Sequence, residues 1–493
     1  MTLIAAIGPF CRAFYRVEID YNEGWNIYNA EIVAAHGWLY PVKYGWTSNN
    51  YPMLSFAVMA GLHRLTHEYL FTARMVSLLS LLCSAGLVGA IVHRLCGAVG
   101  QKGTVGRSGY WPAVLAALFT VALFCADADV YVGSDDPQML AQVFFLAGLY
   151  VYLATRRSVG GIAGATALFV VGGFIKHNPV DFPLAVLIDL ALISRRKAVW
   201  FSVCGLALLA VGVALSVHFG GPHFLDQILA LRRWSVGKAA YQLRNTLGPI
   251  LLPVCVAIFM AARLRKDESS RIAAIFLASS LLMGAYFGGG EGVSMNSLFD
   301  AMLATAILLG LFLYETEDGE AEDGRWNEAF WVRAGAWDWF SGAPTAATLF
   351  AWLFIPLIIS GNWNVVRVMR ETSASEARFD AEVGMLAARS GTALCESLLR
   401  CHEAGKPYIY DPCNATRLIQ LGRLDQKSFV QEIRARRFGA IQLDVPPDDE
   451  AEVQRIDPSL HERFTPEMLE AIRASYVVAL KNEDGVIYVP ASR

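Results

Sequence analysis

Charge is what this chain has least of: 17% of its 493 residues are Asp, Glu, Lys or Arg, where a soluble protein carries about 25%. The deficit lies in the first 361 residues, and the remainder has the composition of an ordinary soluble domain. No basic tract is present, and a net charge of −3 with a pI near 6.3 excludes nucleic acid as an expected partner. No CxxC pair and no Cys/His ligand spacing occurs, so a structural zinc site is not expected. Internal repeats and decisive low-complexity tracts are missing as well. No cleavable signal peptide is visible. Met1–Phe10 is apolar but shorter than the roughly 20 residues a helix needs to span a bilayer, and Arg12 and Arg16 interrupt it. Either a first helix is truncated, which is the favoured reading, or it is short and tilted.

What the chain has in excess is apolar sequence: 55% hydrophobic residues and a mean hydropathy of +0.40. Runs of spanning or near-spanning length fall at 71–93, 111–125, 138–155, 159–175, 179–194, 198–219, 246–262, 270–287, 297–314 and 342–361. With the abbreviated first helix they predict an α-helical polytopic membrane protein of about 11 transmembrane helices. Basic clusters recur after every second span: Arg94, Lys102 and Arg107; Arg156 and Arg157; Arg195, Arg196 and Lys197; Arg263, Arg265, Lys266 and Arg271. That side is assigned to the cytoplasm. Loops 17–70, 126–137, 176–178, 220–245 and 288–296 then face outward, while 315–341, acidic in its first part, faces inward. An odd number of spans puts the tail outside. Residues 1–361 thus form the transmembrane part, and 362–493 a small extracytoplasmic α/β domain. Its expected strands lie at 408–410, 439–443 and 485–489, and its helices at 379–399, 427–437 and 465–473.

Cys11, Cys83, Cys96, Cys125, Cys204 and Cys255 lie in or beside apolar runs, where cysteine behaves as a small hydrophobe. Cys395, Cys401 and Cys413 cluster in the tail. There one disulfide and one free thiol are expected, with three pairings open.

The unusual polar residues map to the outward ends of spans. Asp20 and Glu23 stand in the first loop with Asn26, His36, Lys43, Asn49 and Asn50; Asp127, Asp129, Asp135 and Asp136 stand in the second. Lys176, His177 and Asn178 follow, then His223, Asp226, Arg232, Arg233, Lys238 and Arg244, then Glu291 and Asn296. Ionisable groups in such company are costly unless they line a polar cavity. Transfer of a sugar from a lipid phosphate needs these groups on one face. A carboxylate accepts the proton of the attacking hydroxyl, and a cation or metal steadies the departing phosphate. Carboxylates also favour the oxocarbenium-like transition state.

Several short segments carry a family resemblance in their order. Asn22-Glu23-Gly24-Trp25 stands in the first loop, followed by Gly37-Trp38-Leu39-Tyr40 and Asn50-Tyr51-Pro52-Met53-Leu54. Ala73-Arg74-Met75 opens the second span; Gly133-Ser134-Asp135-Asp136, Lys176-His177-Asn178-Pro179 and Gly292-Val293-Ser294-Met295-Asn296 follow. The arrangement, over about residues 1–361, resembles the GT-C superfamily, in particular the branch of bacterial aminoarabinose transferases and protein O-mannosyltransferases. The resemblance implies an inverting hexosyl- or pentosyltransferase of the bacterial inner membrane, which takes a sugar from a polyprenyl phosphate to an acceptor hydroxyl outside the cytoplasm. Membrane lipids and an acceptor that is a lipid, polysaccharide or protein are its expected partners. The branch has members with and without a divalent metal ion, so the resemblance leaves metal dependence open and implies no other cofactor.

Three departures shift the residue assignments. Asn22 replaces the leading Asp of the family's acidic pair, so Glu23, preferred by register, or Asp20 must be the base. Met53 replaces a proline. Asn49 and Asn50 stand where some members carry a lysine, which leaves phosphate contacts to Lys176 and to Arg232 or Arg233. Asp135, Asp136, His177, Tyr51 and Asn296 complete the expected substrate site. Simpler roles are open to each: Glu23, Asp135 or Asn296 as a cap, Lys176 as a snorkelling residue, and the loop aromatics as an interfacial belt. A transporter or flippase is the alternative function; it should concentrate charges in mid-membrane at broken helices in matching halves, a pattern missing here. A catalytically dead sugar-binding relative is the third reading.

Overall fold

Helices form where the apolar runs lie. The computed structural model describes residues 2–100, 109–230, 232–268, 270–322, 357, 365–447 and 463–492. It begins with α1 (Thr2–Arg12), then α2 (Asn22–Ala34) and α3 (Leu54–Thr66) within the first long loop, and the long α4 (Tyr69–Gly100). Next come α5 (Tyr110–Asp127), α6 (Gln138–Ala154), α7 (Val159–Ile175), α8 (Asp181–Ile193) and α9 (Arg195–Gly220). The short α10 (Phe224–Ile228), α11 (Val236–Leu247), α12 (Leu251–Leu264), α13 (Arg271–Gly288) and α14 (Phe299–Glu322) complete this part.

Five helices, α4, α5, α9, α13 and α14 with its preceding turn, are long and apolar enough to cross a membrane; α11 and α12 make a sixth if read as one span bent by 96°. The chain is a multi-pass membrane protein, but the expected count of eleven is not reached among the described residues. α6, α7 and α8 are apolar yet short: 17 residues rise only about 26 Å. The expected span at 342–361 lies, apart from Leu357, outside the described residues. So does loop 315–341 beyond Glu322, up to which α14 continues.

α14 is the centre of the bundle. Residues 301–309 are all buried against α4, α5, α12 and α13. α9 is its opposite: Val199, Val203, Leu206, Leu209 and Val211 are exposed, the surface of a helix facing lipid. α6 runs from the Asp136 end of the bundle to Arg157 at the other. There Arg157 and Arg271 meet the buried Asp189 at 3.0 and 2.8 Å, and Lys197 donates to the Arg157 carbonyl at 2.9 Å. Arg157, Lys197 and Arg271, from three of the basic loops, thus meet at that end.

The soluble part begins with α15 (Val365–Ala388) and builds a sheet of β1 (Ala393–Cys395), β2 (Ala440–Leu443), β3 (Tyr476–Lys481) and β4 (Val486–Pro490) in the order β1-β2-β4-β3. β1 and β2 run parallel, and the other pairs antiparallel. Helices α16 (Leu398–Glu403), α17 (Pro412–Gln420), α18 (Lys427–Arg434) and α19 (Pro466–Ser475) surround it. Two strands stand where expected, but 408–410 is not one. Tyr408 stacks on Tyr28 of α2 and Tyr410 on Phe429 and Phe464, so these aromatics serve packing rather than a ladder. The disulfide is Cys395–Cys401, and Cys413 is free.

Candidate active site

The first loop folds back onto the bundle because it carries an acid that the bundle needs. Arg74 lies in apolar α4 and is almost wholly buried. Glu23, at the start of α2, meets it with both oxygens, at 2.8 and 2.7 Å. The same carboxylate accepts the backbone N–H of Ile19 at 2.7 Å and of Asp135 at 3.1 Å. A carboxylate with both oxygens engaged and no exposed surface has no room for an acceptor's proton. Glu23 is a joint between α2, α4 and two loops, and its register with the family's motif does not make it available as a base.

Asp20 stands differently. Its Oδ1 accepts from the Asn22 backbone N–H at 2.9 Å and from Asn22 Nδ2 at 2.6 Å, and among the described residues Oδ2 takes no hydrogen bond. Burial pushes its carboxyl up to about 6, against the Asn22 backbone hydrogen bond that lowers it; Asp136 and Glu23 push the same way as burial. Asn22 also reaches Asp136 Oδ2 at 3.5 Å. Asp136 in turn accepts from the Gln138 backbone N–H at the start of α6 and pairs with Lys176 at 3.4 Å. The Lys176 ammonium sits 3.7 Å from the centre of the Tyr51 ring, a cation–π contact. Burial works against that charge, but Asp136 and Tyr51 outweigh it and raise the lysine.

These groups border a cavity of about 610 Å³. Asp20, Tyr51, Arg232 and Asn296 line it, with Tyr21, Asn22 and Trp25 from the first loop and the face of α11. The Asn296 Oδ1 is buried there without a hydrogen-bond partner. Arg232 gives one N–H to the Glu291 carbonyl at 3.3 Å; burial, then the neighbouring Arg417, bring it down to about 10. Lys176 and Asp136 lie behind Tyr51 rather than on the wall. Glu23, Asp135, His177 and Arg233 are not on the wall either. Burial, reinforced by Glu23 and Asp136, holds Asp135 well above the usual carboxylate range. His177 is driven down to about 3 by burial, then by Arg232 and Lys176, so it is neutral. Arg233 is exposed and pairs with Glu291 at 2.6 Å.

The soluble part closes the cavity with residues that sequence reading did not single out. Asn414, Arg417, Cys413 and Arg463 line it. The first three are carried on α17, whose cap Asp411 accepts the indole N–H of Trp25 at 2.7 Å and the Tyr21 hydroxyl at 3.2 Å, while Arg463 lies over the Tyr21 ring. Asp411-Pro412 at a helix start was a legible capping signal; that its second oxygen would reach across to α2 was not. Gly24 lets the two parts touch, since a Cβ there would come within 2.0 Å of the Leu399 backbone nitrogen. Among the described residues no three His, Cys, Asp or Glu side chains converge as a metal site. Asp20 and Asp136 are bridged by the Asn22 amide.

No protein-family model matches the sequence, and no curated protein matches it. Its structure is similar to ArnT from Cupriavidus metallidurans. The apo form superposes with a TM-score of 0.59 at 14% identity, covering 99% of this chain and 96% of that one. The form bound to undecaprenyl phosphate gives 0.57 at 16% identity, with the same coverage. Helices and soluble part together, this chain has the GT-C fold of ArnT.

Proposed function

We propose that this protein is an inverting glycosyltransferase that moves a sugar from a polyprenyl phosphate to an acceptor hydroxyl at the extracytoplasmic face of the inner membrane, with the soluble domain on that side. The observation that carries the reading is Asp20, a carboxylate with one oxygen unengaged among the described residues, on the wall of a cavity it shares with Arg232. A base with a pKa of about 6 is matched to proton abstraction near neutral pH. Asp20 takes the acceptor's hydroxyl proton as that oxygen attacks the anomeric carbon on the face opposite the phosphate. The carbon–oxygen bond to the phosphate breaks, and polyprenyl phosphate leaves with the bonding electrons. Arg232 stabilises that charge. Asn22 holds Asp20 in place, and the Asp136–Lys176–Tyr51 group holds the wall behind it. The binding of undecaprenyl phosphate by an ArnT of the same fold supports a polyprenyl-linked donor.

Asp20→Asn is expected to lower transfer by about 10²–10⁴-fold while polyprenyl phosphate still binds. The assay is product formation from a radiolabelled polyprenyl-phosphate sugar in membranes, and substantial residual transfer would remove Asp20 from the role.

A further inference from the structure

Among the described residues three cations line this cavity and Lys176 stands behind its wall, and they differ in what neutralises them. Lys176 has Asp136, and Arg463 has Asp444 at 2.8 Å and Glu396 at 3.6 Å. Arg232 and Arg417 make no ion pair among the described residues. The acids whose fields reach Arg417, Asp411 and Glu291, make their contacts elsewhere, with Trp25 and Asn414 and with Arg233 respectively. Arg417 is 7% exposed, and its Nε is buried with no hydrogen-bond partner. It comes from α17 of the soluble domain, while Arg232 comes from the loop before α11. Burying a guanidinium with no acid in contact is costly, and a second, half-buried one that repels it adds to the cost, unless an anion completes the group.

We propose that Arg417 and Arg232 together bind one phosphate ester in the cavity, so that the soluble domain supplies part of the phosphate site and is not merely a cover. Planar guanidinium groups hold phosphate oxygens through paired N–H bonds, which a point charge such as Lys176 does not match. This rests on the transferase reading for what the phosphate is: the donor's own, or one on the acceptor.

The test is equilibrium binding to the full chain in lipid nanodiscs, with undecaprenyl phosphate, uncharged undecaprenol and the soluble monoester glucose 1-phosphate as probes. Arg417→Ala should weaken undecaprenyl phosphate about tenfold or more, Arg417→Lys less, and neither should change undecaprenol. A loss confined to glucose 1-phosphate supports the site and assigns it to a phosphate on the acceptor. Unchanged affinity of both phosphates in both variants overturns the proposal. So does a wild-type protein that binds neither. If Arg417→Ala does not fold, Arg417→Lys and Arg417→Gln carry the same comparison. Arg417-dependent phosphate binding without any new glycosidic bond would uphold this inference and sink the transferase reading.

Discussion

Asp20 and Glu23 are three residues apart and have opposite fates, decided by what each carboxylate touches. Burial raises Asp20 to about 6, so its charged form, the one able to take a proton, fills as pH rises through that value. The acid limb of kcat/KM should therefore bend near pH 6 and fall about tenfold per unit below it. A profile flat down to pH 4.5 would contradict the assignment. Glu23 is one half of a pair with almost no exposed surface, and removing one partner of such a pair costs about 3–5 kcal/mol. Glu23→Gln should accordingly lower the melting temperature and the yield of folded protein. A Glu23→Gln variant that melts like wild type yet makes no product would return the base to Glu23.

At the scale of elements, α2 is the piece on which the site is assembled. Its first turn carries Asn22, Glu23, Gly24 and Trp25, which face Asp20 and Asp136, Arg74, α16 and Asp411 in turn. Alanine is the better helix former than glycine by about 1 kcal/mol, but a methyl at 24 cannot fit beside Leu399. Overpacking of this kind costs about 1–3 kcal/mol, so Gly24→Ala should loosen the soluble domain, with faster limited proteolysis as the readout. Unchanged protection would show that α16 can step aside. Asp411→Ala removes a helix cap and the Trp25 tie together, and should cost about 1–2 kcal/mol.

Over the whole molecule, the soluble domain is fastened to the first loop by ionic contacts that depend on pH. His402 of α16 reaches Glu31 of α2 at 3.0 Å and Glu403 at 3.4 Å, with the Tyr28 ring beside it and Arg16 on Glu403. Burial pulls the histidine down, but the two carboxylates prevail and raise it to about 9. Its contribution is then complete below its ordinary value of 6.5 and lost as pH climbs through about 9. Glu403 is held low, first by His402 and against burial, with Arg16 adding to the effect. Its contribution is present above its ordinary value of 4.5 and lost on acidification. The gap in melting temperature between wild type and His402→Gln should be widest between about pH 4.5 and 6.5 and shrink toward pH 10. A constant gap would mean that this contact is not ionic.

The apolar runs alone announced a helical membrane chain with a soluble tail, since hydrophobicity over 20 residues is a local property that no distant contact reverses. That the acidic first loop would gather with Asp136, Lys176, Tyr51 and Arg232 was legible for a related reason: polar groups beside greasy helices have few harmless places to be. Which of two acids stays free was not legible, because that is settled by Arg74, fifty-one residues further on and buried in an apolar helix. Which residues of the soluble domain would reach the cavity was hidden for the same cause. Arg417 lies on a short helix of unremarkable composition, and ties such as that from Asp411 to Trp25, across 386 residues, bring it to the wall. Composition and periodicity state what each segment must bury; the pairing of buried charges across the chain, a matter of a few ångströms in the folded molecule, decides which group is left to do chemistry.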